Sequence, residues 1–168
     1  MEYRIRPAEE SELEKAEQAA AEAFADYEEA HREWVEALLA KRPMHEIAAG
    51  GEVLVGVDGD GHVCAAVGYI APGGPRRDFF PPEWAILRML SVPARHRGRG
   101  IARRLVEAVI ARAVRDRAAV LGLYSSPVMA TAVGLYKRMG FVHQRSLPPE
   151  HGLPDDLYAL ELPRHAVR

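Results

Sequence analysis

Leu90-Ser91-Val92-Pro93-Ala94-Arg95-His96-Arg97-Gly98-Arg99-Gly100-Ile101-Ala102 is the stretch on which the fold turns. A strand over Ala85–Val92 runs into a turn bearing Gly98 and Gly100, and the turn opens a helix that reaches about Asp116. Ile101, Ala102, Leu105, Val106, Val109, Ile110 and Ala113 fall on one face of that helix. Arg103, Arg104, Glu107, Arg112 and Arg115 fall on the other. Glycines let the backbone come close to a ligand, and a helix start offers unpaired N–H groups with a partial positive charge. Such a place suits phosphate or pyrophosphate. Arg95, Arg97 and Arg99 add full charge, and arginine can grip a phosphate in bidentate fashion. The turn is no Walker A loop, because GxxxxGK(S/T) is absent, and no Rossmann fingerprint, because a third glycine is missing. On chemistry alone, an ordinary strand-to-helix turn with solvated arginines is the competing reading.

Upstream, Tyr3–Arg6 alternates like a strand, and Ser11 with Glu14 forms an S-x-x-E capping box ahead of Leu13, Ala16, Ala20 and Phe24. A second helix is expected from about Glu28 to Lys41, ended by Arg42-Pro43. Glu52–Val57 and His62–Ala71 are β-rich runs joined by Asp58-Gly59-Asp60-Gly61, a hairpin signal. Ala71–Pro82, with four prolines and two glycines, reads as a loop. Downstream, Ala118–Tyr124 reads as a strand. Ser126-Pro127 reads as an N-cap with proline at the first helical position, and Gly140 stops that helix. Phe141–Ser146 and Leu157–Leu162 read as final strands with the loop Pro148–Asp155 between them. The order β-α-α-β-β-β-α-β-α-β-β is that of an α/β domain with a mixed sheet.

The chain has 168 residues, 48% hydrophobic and 27% charged, which fits one domain with a sizeable core. Its net charge of -2 argues against a dedicated nucleic-acid binder. That total hides an asymmetry: residues 1–60 sum to -10 and residues 61–168 to +8. The split suggests two differently charged partners. A single cysteine, Cys64, excludes an internal disulfide, and no CxxC or HxxxH pattern offers a metal site. MEYRIRPAEE has neither a basic n-region nor an apolar h-region, so no signal peptide is expected. No apolar run approaches the roughly 20 residues that span a bilayer. A cytoplasmic enzyme or binding protein, without a membrane partner, is the expectation.

A second motif is Ala132-Val133-Gly134-Leu135-Tyr136-Lys137-Arg138-Met139-Gly140-Phe141. Taken alone, Tyr136 reads as an ordinary half-buried aromatic. Together with Arg95-His96-Arg97-Gly98-Arg99-Gly100, however, it resembles the GNAT superfamily of N-acetyltransferases. The first segment matches that family's Q/R-x-x-G-x-G/A acyl-CoA loop, and the second its A-x-x-L-Y-x-x-x-G-F signature. Both stand in the right order, separated by a helix and a strand. The element order of nearly the whole chain fits as well.

The resemblance implies a single domain over residues 1–168. It would be an α/β fold with a mixed, mostly antiparallel central sheet flanked by about four helices. Acetyl-CoA would be the co-substrate, with no metal. Backbone N–H groups of Arg97, Gly98, Arg99, Gly100, Ile101 and Ala102 would bind the pyrophosphate, with Arg103 beside them. The main chain of Leu90, Ser91 and Val92 would pair with the pantetheine arm like an added strand and polarise the thioester carbonyl. Tyr136 would protonate the leaving thiolate as general acid, and an amine would attack directly, without an acyl-enzyme. A homodimer is a form frequent among similar proteins.

Two departures from the family pattern stand out. Many relatives carry a glutamate on the strand before the loop, where this chain has Ile86 and Met89, and Glu83 is the nearest carboxylate. The asparagine common near the start of the last helix is replaced by Ala130, with Thr131 beside it as a hydroxyl contact to the cofactor. The general base is therefore unassigned. For the acceptor side, the resemblance points to Tyr27, His31, Trp34, Phe79 and Phe80 as walls, and the acidic residues of the first third would attract a cationic amine. The missing glutamate motivates an alternative, a non-catalytic acyl-CoA-binding or regulatory module. A nucleic-acid role for Arg95–Arg104 would need interleaved aromatics, and there are none.

Overall fold

The structure is a computed structural model that describes residues 2–163. Its strands are β1 (Arg4–Pro7), β2 (Glu52–Val57), β3 (Val63–Ile70), β4 (Ala85–Ser91), β5 (Val120–Ser125), β6 (Val142–Glu150) and β7 (Leu153–Glu161). They form one sheet in the order β1-β2-β3-β4-β5-β7-β6. Every neighbouring pair is antiparallel except β4 with β5. Five α-helices accompany the sheet: α1 (Leu13–Phe24), α2 (Glu28–Ala40), α3 (Pro43–Gly50), α4 (Ile101–Arg115) and α5 (Ala130–Arg138).

Period-two alternation divides the core. On β3, Ala65, Val67 and Tyr69 face α4, while Ala66 and Ile70 face α1 and α3. Leu105, Val106 and Val109 of α4 are fully buried on the first face, and Ala16, Ala20, Met44 and Ile47 on the second. Each such Leu, Ile or Val contributes roughly 1.5–3 kcal/mol by leaving water. Gly68 of β3 permits the close approach of α3, since a Cβ there would meet Ile47 Cδ1 at 2.6 Å.

Four local expectations change. The capping box lies earlier than Ser11 and Glu14: a 3-10 turn, Glu10–Glu12, precedes α1, and Glu9 N–H donates to Glu12 Oε1 at 3.0 Å. Pro43 does not simply end α2 but starts α3, the additional helix, because proline is at home in a first turn. Ser126 Oγ accepts from Val128 N–H at 3.3 Å in a turn, and α5 begins only at Ala130. Finally, the stretch 148–155 is no loop. β6 and β7 form a hairpin through His151 and Gly152, with Pro148 and Pro149 inside β6. An edge strand tolerates prolines, and the register shifts there between Leu147 and Glu150.

The feature that positions the site is the β4–β5 contact. Pairing covers only Ala85 with Leu121 and Ile86 with Gly122, and beyond those residues the parallel strands separate. Against β3, β4 also bulges between Arg88 and Ser91, with Met89 at φ +54°. Among the described residues, no helix is long and apolar enough to cross a membrane.

Candidate active site

The chain leaves β4 through Val92-Pro93, makes a 3-10 turn at Ala94–His96, and enters α4 through Gly98 and Gly100 at φ +76° and +78°. Both glycines take left-handed backbone that other residues rarely adopt, and a Cβ on either would meet nothing within 4 Å. They border open space. Arg104 N–H is the first in α4 to find a carbonyl, that of Gly100 at 3.1 Å. The amides of Ile101, Ala102 and Arg103 are the unpaired donors of a helix N-terminus.

The arginines of the turn are largely spoken for. Arg97 donates to the Val92 carbonyl at 2.9 Å and the Ala23 carbonyl at 3.1 Å, and it pairs with Asp26. Arg95 pairs with Glu22 at 3.0 Å. Arg99 donates to the Tyr3 hydroxyl at 3.3 Å, and Arg104 to the Tyr3 carbonyl. Glu52 likewise receives Arg112 and Arg115. Part of the charge asymmetry is thus internal: Glu22, Asp26 and Glu52 of the acidic N-terminal third pair with arginines of the basic remainder. These contacts brace the turn, leaving backbone amides and other cations to meet an anion.

A cleft of about 250 Å3 opens in front of this turn. Of the residues singled out from the sequence, Leu90, Val92, Arg97, Gly98, Gly100, Ile101, Ala102, Arg103 and Thr131 line it. Ser91 does not: it is fully buried, pairs with Ala66, and its Oγ donates to the Met89 carbonyl at 2.9 Å. Arg99 is not on the cleft wall either. Arg138, exposed and on the wall, is a cation that the sequence reading passed over. Its signal was the spacing Thr131, Leu135, Arg138, one face of α5. Phe24, Tyr27 and Met129 complete the apolar side.

Tyr136 lies next door, in a waist of about 70 Å3 whose walls include Phe24, Leu90 and Met129 of the first cleft. The ring is buried and packs edge-on against Phe141 at 5.7 Å. Among the described residues its hydroxyl has no hydrogen-bond partner. Burial drives its pKa upward, so the phenol keeps its proton at any physiological pH and is able to donate it. The waist shares Trp34, Leu38, Arg88, Tyr124 and Glu150 with a third cavity of about 270 Å3 on the far side. The three spaces follow one another along the gap between β4 and β5.

The expected acceptor walls divide. Trp34 and Phe80 line the far cavity, Phe79 borders a neighbouring one, and Tyr27 belongs to the first cleft. His31 lines none of them and marks a break in α2, at φ -138° and ψ 43°. Glu83 is exposed ahead of β4, at the end remote from the loop, and lies on none of these walls. Glu28, Glu29, Glu33 and Glu36 are exposed on α2 and line none of these cavities. The charged walls of the far cavity are instead Lys41, Arg76, Arg77 and Arg88 with Glu46 and Glu150. Arg76 spends its guanidinium on the carbonyls of Ala71, Gly74, Pro81 and Trp84, and Arg77 pairs with Glu150 at 2.5 Å. The hairpin turn between β2 and β3 gathers Asp58, Asp60 and His62, but Asp58 accepts from the amides of Asp60 and His62 at 2.9 Å as part of that turn.

Comparison with known proteins fits this geometry. Residues 11–141 match the acetyltransferase (GNAT) family. No curated protein matches the chain in sequence. Among solved structures, the acetyltransferase yncA of Salmonella typhimurium, determined with its cofactor acetyl-CoA, is 20% identical with a TM-score of 0.69. The match covers 100% of this chain and 98% of that one. A histone acetyltransferase HPA2-related acetyltransferase of Corynebacterium glutamicum is 21% identical with a TM-score of 0.75, covering 99% of this chain and 100% of that one. At these identities the structural likeness speaks for the fold.

Proposed function

Because the chain belongs to the acetyltransferase (GNAT) family, whose members use acetyl-CoA, we propose that the cleft before α4 holds the acetyl-CoA pyrophosphate and pantetheine, and that an amine enters from the far cavity. Residues 1–168 act on this reading as one acyltransferase domain, in the cytoplasm, on a primary amine, without nucleic acid or membrane; a homodimer is compatible with it.

The observation that carries the reading is the succession of three spaces along the β4–β5 gap, with Tyr136 at the narrow middle. The amides of Gly98 to Arg103, the helix dipole, and the guanidinium groups of Arg103 and Arg138 together suit a diphosphate. The open edge of β4 at Leu90–Val92 suits an extended amide-bearing arm, which would run beside it as a strand does. The thioester then falls at the waist. A backbone N–H of the bulged strand polarises its carbonyl, the amine adds directly, and Tyr136 gives its proton to the departing thiolate. Buried, protonated and without a hydrogen-bond partner among the described residues, the Tyr136 hydroxyl is suited to that single task, which weighs against a module that binds without turnover.

Thermal denaturation with acetyl-CoA is the test. At a hundredfold excess over its dissociation constant a bound ligand adds about 2.7 kcal/mol. For a chain of this size that raises the melting temperature by about 5–11 °C. An unchanged melting temperature at millimolar acetyl-CoA overturns the reading.

A further inference from the structure

The reaction needs a group to take the proton of the incoming ammonium, and the sequence offered none. Asp155 lies on β7, 6% exposed, on the apolar phase of the strand between Leu153 and Leu157. Its neighbour Asp156, on the opposite phase, accepts from His143 Nε2 at 3.0 Å and Ser146 Oγ at 3.1 Å. Asp155 has no hydrogen bond or ion pair among the described residues. It borders two spaces at once: the waist that holds Tyr136 and Leu90, and an outer cavity walled by Arg77, Tyr124 and Glu150. Glu150 is the other carboxylate on the waist, and it is engaged by Arg77.

We propose that Asp155 is the general base of this acetyltransferase, taking the proton from the acceptor ammonium at the waist, opposite the Tyr136 hydroxyl. The inference rests on the proposed placement of acetyl-CoA. The charged groups that face Asp155 are Arg88 from β4, Arg77 and Asp78 from the loop before β4, and Glu150 from β6. Asp156 adjoins it on its own strand, Tyr124 and Tyr136 face it as neutral phenols, and Arg76 is occupied by backbone carbonyls. Burial above all, with the Glu150 charge, lifts the Asp155 carboxyl to about 6 against the pull of Arg77, and Asp156 adds to the rise. A carboxylate in that range is ionised at neutral pH and is a stronger base than a solvated one.

The protons balance. Asp155 accepts one from the ammonium, directly or through one water, and frees the nitrogen lone pair. The N–C bond forms at the thioester carbonyl, the adduct collapses, and the C–S bond breaks. Tyr136 protonates the sulfur and regains a proton from the nitrogen of the adduct, leaving the amide and CoA thiol. Asp155 returns its proton to solvent through the outer cavity.

The test compares full-length wild type, Asp155→Asn and Asp155→Glu. Thiol release from acetyl-CoA is followed with the best acceptor found among α-amino acids, polyamines and short peptides. Asp155→Asn should keep the acetyl-CoA melting shift and lose 100- to 10,000-fold in kcat/KM for the amine. The wild-type acidic limb near pH 6 should vanish, leaving a rate that climbs to the amine's own pKa. A variant within threefold of wild type with the same pH profile overturns the assignment, as does an equal loss at every pH. If Asp155→Asn lacks a melting transition, Asp155→Glu decides, because moving the carboxyl should shift the acidic limb, and an unshifted limb refutes the role. No stabilisation by acetyl-CoA together with no thiol release refutes the underlying site reading instead.

Discussion

Replacing Asp155 with asparagine should make the protein more stable at neutral and higher pH, and leave its stability unchanged near pH 4. The carboxyl titrates near 6 in the fold against an ordinary value of 3.8. Between those limits the folded chain binds more protons than the unfolded one, so stability falls as pH rises through the window. The penalty is absent below about pH 4 and complete above about pH 6. At 1.36 kcal/mol per unit, two units set a ceiling of about 3 kcal/mol. Asp155 borders two cavities that admit solvent, which reduces the expected penalty to about 1–2 kcal/mol. Asparagine keeps the shape and removes the charge. The variant should therefore melt about 2–8 °C above wild type at pH 7.5 and coincide with it at pH 4. Urea titrations of both proteins at unit steps from pH 4 to 8 measure the difference directly, and other titrating groups cancel in it. A variant less stable than wild type at pH 7.5, or a gap that is the same at pH 4 and pH 8, refutes the reasoning.

Two further outcomes follow from the site. Tyr136→Phe should cut turnover 100- to 10,000-fold while leaving the acetyl-CoA dissociation constant within threefold and the melting temperature nearly unchanged, because the hydroxyl has no hydrogen bond to lose among the described residues. Full activity in stopped-time thiol assays would remove the general-acid role. Gly98→Val should abolish the acetyl-CoA melting shift, since its side chain would fill the cleft and its backbone at φ +76° would be strained by about 1–2 kcal/mol or more. Normal binding by calorimetry would refute the cleft placement.

The half of the fold that depends on local rules was readable in the sequence. The loop from Arg95 to Gly100, the amphipathic α4 and the Asp-Gly hairpin all follow from residue spacing, because the glycines, the apolar stripe and the turn residues that mark each lie within its own segment. Proline misled twice in opposite directions. Pro43 looks like a stop yet starts a helix, and Pro148-Pro149 looks like a loop yet sits in an edge strand. Both depend on what lies beside the chain in space. The same limit hid the general-base candidate. Asp155 sits on the buried phase of a strand, Leu153-x-Asp155-x-Leu157, but with the stretch read as a loop that phase had no meaning. The roles of Arg95 and Arg97 needed their partners Glu22 and Asp26, more than 70 positions away in sequence. No periodicity reports such pairs.

The separation of β4 from β5 also bears on solubility. A sheet normally leaves its unsatisfied backbone groups on the two rims, where any passing polypeptide can dock. Here the outer rims are a four-residue strand on one side and a strand broken by two prolines on the other. The exposed bonding capacity sits instead in the middle of the sheet, at the bottom of a crevice that narrows to about 70 Å3. Access to it is limited by the walls of that crevice, which include Phe24, Trp34 and Met129. The protein can thus keep a permanently open ladder without becoming a template for its neighbours.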